Sequence, residues 1–107
     1  MNDKLLTLIG FAAKAGKLSY GMSAAVSSVR AGKSKLVLVC CDISPKSQKE
    51  ITFQCNKKSV STFVLDDYDI QSVSDAVGRK CGILSINDSS FANTVAQYIQ
   101  GGNANDK

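Results

Sequence analysis

Residues 36–45 read Leu-Val-Leu-Val-Cys-Cys-Asp-Ile-Ser-Pro, and this run decides the fold. Its first six residues are apolar without alternation, which predicts a strand covered on both faces. Asp42 to Ser44 then turns the chain. Ser44 followed by Pro45 puts a hydroxyl at an N-cap and a proline at the first helical position, so a helix over 45–57 follows. A doubly covered strand feeding straight into a helix is a building unit of α/β proteins.

The same alternation extends in both directions. Downstream, Val60 to Leu65 is β-branched and aromatic and predicts a second central strand, after which Asp66-Asp67 offers a cap. Ile70, Val73 and Val77 define a helix that Gly78 can close. Cys81 to Ile86 is a third core strand, Asn87-Asp88 a turn and cap, and Phe91, Val95, Tyr98 and Ile99 the apolar stripe of a last helix. Upstream, Leu5, Ile9 and Ala12 recur at helical spacing, predicting a helix over 3–15 that Asn2 or Asp3 can cap and Gly16 can end. A short extended piece, Lys17 to Tyr20, leads into a helix over 21–31 with Ala25, Val26 and Val29 on one side. The expected class is therefore α/β, a three-layer α/β/α sandwich around a mixed sheet of about four strands. Residues 1–100 are expected to form a single domain and 101–107 a flexible polar tail.

With 107 residues and 44% hydrophobic content, the composition suits one core of ordinary soluble type. The net charge of +4 is modest, but it is unevenly spread. Met1 to Lys58 holds ten basic against three acidic residues, whereas Ser59 onward holds three against six. That polarity points to a polyanion facing the first half. No signal peptide or membrane-length apolar stretch is visible, so the expected setting is the cytoplasm, with no membrane partner. Cys40, Cys41, Cys55 and Cys81 contain no Cys-x-x-Cys pair and the chain has no histidine. They read as core thiols of a reducing compartment, with no metal and no cofactor expected.

The step Ala-Gly-Lys occurs at 15–17 and again at 31–33, bracketing the predicted helix that begins at Gly21. A helix start between flexible basic corners suits phosphate, because free N–H groups and the helix dipole both favour an anion there. Gly32-Lys33-Ser34 matches the end of a nucleotide-phosphate loop, but Ser27 stands where the first glycine belongs. The tripeptide also follows a helix and precedes a strand, the reverse of the order that aims amides at phosphates. Without histidine, and with Asp66, Asp67 and Asp69 at a capping position, catalysis finds no support. Lys14, Lys17, Lys33, Lys35, Lys46, Arg79 and Lys80 all fall at or beside element ends, where a rigid scaffold displays binding groups. If the strands lie in one sheet, the starts of the helices that follow them collect at one end, near the Pro45-Lys46-Ser47 corner. Aromatics for stacking on bases are few, with Tyr20 the best placed and Tyr68 second, and that scarcity favours structured RNA over a sequence-tolerant single strand.

Leu8-Ile9-Gly10-Phe11-Ala12, Ala15-Gly16-Lys17-Leu18, Arg30-Ala31-Gly32-Lys33, Asp42-Ile43-Ser44-Pro45, Val73-Ser74-Asp75-Ala76-Val77-Gly78 and Ser90-Phe91-Ala92 together resemble the kink-turn-binding ribosomal protein family of the L7Ae type, in its bacterial YlxQ-like branch. The resemblance covers nearly the whole chain up to Gln100. It implies an α/β/α sandwich and RNA binding without catalysis, with ribosomal or other structured RNA as partner, ribosome-associated proteins as neighbours and a monomeric state. The family reads guanine edges through Gly-x-Asn-Glu-x-x-Lys at the start of the second helix. Here that block is Gly21-Met22-Ser23-Ala24-Ala25-Val26-Ser27, so Gly21 is kept while Ser23, Ala24 and Ser27 replace the three reading side chains. Lost bidentate base contacts typically cost about 1–3 kcal/mol of discrimination each. Two further family contact regions correspond to the loop through Lys46 and Gln48 and the loop through Arg79 and Lys80. The resemblance thus implies RNA contacts at Lys17, Gly21, Met22, Ser23, Ser27, Lys33, Lys35, Lys46, Gln48, Arg79 and Lys80, with steep salt dependence and weakened kink-turn preference. The alternative is a protein-interaction module that keeps the fold without specific RNA recognition.

Overall fold

The computed structural model describes residues 4–101, in the order α1 (Lys4–Lys14), β1 (Leu18–Tyr20), α2 (Gly21–Arg30), β2 (Leu36–Cys40), α3 (Pro45–Lys57), β3 (Ser61–Leu65), α4 (Ile70–Val77), β4 (Ile83–Ile86) and α5 (Ser89–Gly101). The expected caps Asn2 and Asp3, and the tail beyond Gly101, lie outside the described residues. The strands form one mixed sheet in the order β1-β4-β2-β3. Only β2 and β3 run parallel, joined by the α3 crossover. β4 inserts antiparallel between β1 and β2.

Side-chain alternation on the central strands builds two cores. Leu36, Leu38 and Cys40 of β2 join Leu84 and Ile86 of β4 against Leu5, Ile9 and Ala12 of α1, Val73 of α4 and Val95 of α5. Val37, Val39 and Ile83 face the other way, onto Ala25 and Val29 of α2 and Ile51 and Cys55 of α3. Helices cover both faces of the sheet, and the α/β/α sandwich follows from the doubly apolar run of β2.

The caps explain the boundaries. Ser44 accepts from the Ser47 N–H, with Pro45 opening α3. α4 is capped by Asp69, which accepts from the Ser72 N–H at 2.8 Å, and not by Asp66-Asp67, because those residues form a turn closed by the Tyr68 N–H on Leu65 O. These bonds hold the exposed Asp69 carboxyl below its usual value. A depressed carboxyl stabilises the fold above its unfolded value, so the contribution of Asp69 fades as the pH falls through its folded value. Gly78 ends α4 at φ 79° in the left-handed region, its N–H on Ser74 O. Asp42 accepts from the Ile70 N–H at 2.9 Å, tying the loop after β2 to the head of α4.

The cysteines divide in a way the apolar run did not foretell. β2 ends at Cys40, so Cys41 falls in the turn and is exposed, while Cys40, Cys55 and Cys81 are buried. Burial and the neighbouring Cys81 push the Cys40 thiol up to about 12; burial also raises Cys55 and Cys81, the latter opposed by Arg79. Since the thiolate is the reactive form, a thiol reagent at neutral pH is expected to label Cys41 in the folded protein and the other three only on denaturation. Peptide mapping of the labelled chain checks this, and early labelling of Cys40 would contradict it.

Candidate nucleic-acid interface

Strand direction decides which loops meet. β1, β2 and β3 run one way and β4 the other, so the exits of the first three strands gather with the entry to β4. At that end lie the β1-to-α2 corner at Gly21, the Asp42–Pro45 turn, the 66–69 turn and the 78–82 loop. Gly21, Met22 and Ser23, Lys46 and Gln48, and Arg79 and Lys80 are therefore brought to one end. Lys17, Lys33 and Lys35 are not. Lys17 precedes β1 and its carbonyl accepts from the Asn87 N–H, while the Lys35 N–H bonds Ile86 O, which places these lysines at the opposite end beside the exit of β4. The expectation that the helices after the three core strands start at one end holds for α3 and α4 and fails for α5, because β4 is antiparallel; the head of α2 joins that end because β1 runs the same way as β2.

The head of α2 differs from the other helix starts whose caps are described. α3, α4 and α5 each have a side-chain cap, from Ser44, Asp69 and Asp88. At α2 the N-cap is Tyr20, which makes no side-chain cap bond, and the first turn has no acidic residue. Gly21 turns the corner at φ 87°, a value that disfavours any side chain, and it lets the strand pass directly into the helix. The N–H groups of the first turn thus lack a capping side chain, at the positive end of the dipole.

Beside this head, the Arg79 guanidinium lies over the Tyr20 ring, 4.7 Å from its centroid. Such a stack holds a cation and an aromatic plane together at the helix start. Lys46 and Lys80 are exposed and Gln48 is half-buried. Met22 is half-buried and packs on the second core, whereas Ser23 and Ser27 are exposed. Tyr68 packs against the first core. Ser23, Ser27 and Arg30, at helical spacing, form one exposed stripe that leads from the head of α2 toward Lys33. At about 1.5 Å per residue the helix spans about 15 Å.

The other end holds a polar network that the sequence did not reveal, because its serines come from separate elements, Ser19, Ser28, Ser34 and Ser85, that only the fold brings together. The Ser85 and Ser34 hydroxyls are 2.7 Å apart, and Ser85 donates to Asn87 Oδ1 at 2.7 Å. Asn87 Nδ2 then donates to Ser19 Oγ at 2.9 Å, and Ser19 Oγ lies 2.7 Å from Ser28 Oγ. The Lys33 and Ser34 N–H groups both bond Ser28 O. Gly32-Lys33-Ser34 is therefore a helix-ending turn whose last two amides and buried hydroxyl are already engaged, with no cradle for a nucleotide.

Residues 3–96 match the model of the ribosomal protein L7Ae/L30e/S12e/Gadd45 family. The chain is 29% identical over 99 residues to the RNA-binding protein YlxQ of Enterococcus faecium, covering 92% of this chain and 94% of that one. A solved structure of a protein of unknown function from Bacillus halodurans C superposes with a TM-score of 0.87 at 25% identity, covering 92% of this chain and 98% of that one. The Giardia lamblia 15.5kD RNA binding protein shares the fold, with a TM-score of 0.75 at 22% identity over 97% of this chain and 92% of its own. On the match over residues 3–96, the chain belongs to the ribosomal protein L7Ae/L30e/S12e/Gadd45 family.

Proposed function

We propose that this chain is a non-catalytic RNA-binding protein that holds structured RNA, ribosomal RNA among the candidates, at the head of α2. The observation that carries the reading is the α2 start without a side-chain cap, flanked by the Arg79–Tyr20 stack. Backbone N–H groups of Gly21, Met22 and Ser23 meet phosphate there, with Lys46, Gln48, Arg79 and Lys80 around them. RNA continuing along Ser23, Ser27 and Arg30 reaches Lys33 and Lys35, with Lys17 beyond. The family name and the RNA-binding relative support the class. The protein acts in the cytoplasm, beside ribosome-associated proteins, and one chain completes the RNA-facing end.

Ser23, Ala24 and Ser27 offer little with which to read base edges, so charge and shape dominate. Titrating the protein into a kink-turn RNA and a straight duplex across a salt series tests this. Both are expected to bind, with a small preference for the bent RNA and a log–log salt slope of about −0.9 per phosphate contact on duplex. A large preference for the kink would show that specificity survives those substitutions. No binding to either near physiological salt would overturn the reading and favour a protein-interaction module on the same fold.

A further inference from the structure

β3 is the edge of the sheet, bonded to β2 on one side and to no strand on the other among the described residues. Edge strands are usually blunted by an internal charge, a proline or a bulge. Ser61-Thr62-Phe63-Val64-Leu65 has no charge and no proline, and its register with β2 runs unbroken from Leu36↔Ser61 to Cys40↔Leu65. Val64 is 38% exposed. Charge sits only beyond the two ends, with Lys57 and Lys58 before the strand and Asp66 and Asp67 after it, all exposed.

That pattern complements itself when reversed. Antiparallel pairing centred on Thr62 sets Val60 opposite Val64 and Thr62 opposite Thr62, and it brings the turn at Lys58 toward the turn at Asp66 and Asp67 of the other copy, while Lys57 stays in α3 over the Phe53 ring. Centring on Phe63 instead would set Val60 against Asp66 and Lys58 against Tyr68. Parallel in-register pairing would oppose like charges. Charge and apolar matching thus select one direction and one register.

We propose that β3 pairs antiparallel with β3 of a second copy about a two-fold axis at Thr62, joining the two sheets into one. The inference is independent of the RNA reading, because α2 follows β1 at the opposite edge of the sheet and stays open in the pair. The test is sedimentation equilibrium of the full chain without RNA, over a wide concentration range at low and high salt. A reversible monomer–dimer equilibrium is expected, with the dimer weakened by salt. Lys58→Glu or Asp66→Lys alone should raise the dimer Kd by about two- to thirtyfold, the effect of losing two symmetric exposed ion pairs. Mixing these two variants should restore pairing as a heterodimer, which no folding defect would mimic. Val64→Lys, with its fold checked by circular dichroism, should abolish the dimer. A monomer at every concentration, a dimer indifferent to Val64→Lys, or a mixture that fails to re-pair would overturn the proposal.

Discussion

Reversing Lys46, Arg79 and Lys80 to glutamate together is expected to lower RNA affinity by at least about a hundredfold while leaving the fold intact. All three side chains are exposed. Charge-assisted contacts at exposed positions contribute roughly 1 kcal/mol each, and three together make about two decades. The magnitude of the salt slope should also fall by about 2–3, because each lost phosphate contact removes about 0.7–0.9. The same reversal at Lys17, Lys33 and Lys35 is expected to cost about tenfold or less on a short RNA, since those residues occupy the other end of the sheet and engage only when RNA runs the length of α2. Anisotropy titrations of both triple variants decide the matter. If the far-end triple loses more affinity than the α2-head triple, the binding end has been assigned to the wrong side.

Leu38→Ala is the substitution expected to harm stability most, by about 2–5 kcal/mol. Leu38 sits at the middle of β2, between Phe63 of β3 and Leu84 of β4, and is 1% exposed. Truncation leaves a void at a place where two flanking strands and the covering helices prevent collapse. Against a total of about 5–15 kcal/mol for a domain of this kind, the loss is a large share. Urea unfolding followed by far-UV circular dichroism measures it. A change below about 1 kcal/mol would mean that the site relaxes freely, contrary to the packing around β2.

The parts of this architecture that were readable from sequence are those set by neighbouring residues. The apolar run at Leu36 needs cover on both faces wherever it goes, and Ser44-Pro45 starts a helix whatever surrounds it, so α3 comes out at the expected residues and β2 one residue short of them, with Cys41 in the turn. Gly78 ends α4 because the left-handed position there favours glycine. Direction is different. The pattern Ile83-Leu84-Ser85-Ile86 says that a strand is buried but not which way it runs, and its antiparallel insertion depends on pairing with Leu18 and Leu36, far away in the chain. The division of the lysines between two ends follows from that one fact. The Arg79–Tyr20 stack was equally out of reach, although each residue had been singled out alone. Asp69 displaced Asp66-Asp67 as a cap because the turn after β3 uses up two residues before the helix can begin, and turn length is weakly encoded.

The insertion of β4 between β1 and β2 also sets the order in which the molecule can be finished. β1 pairs only with β4 among the described residues, so Leu18 to Tyr20, and the corner that launches α2, have no strand partner until residues 83–86 exist. β2, α3 and β3 can assemble from shorter-range contacts as the chain emerges from the ribosome. The proposed RNA-facing end is thus assembled last, and a nascent chain carries that surface only when most of its sequence has been made.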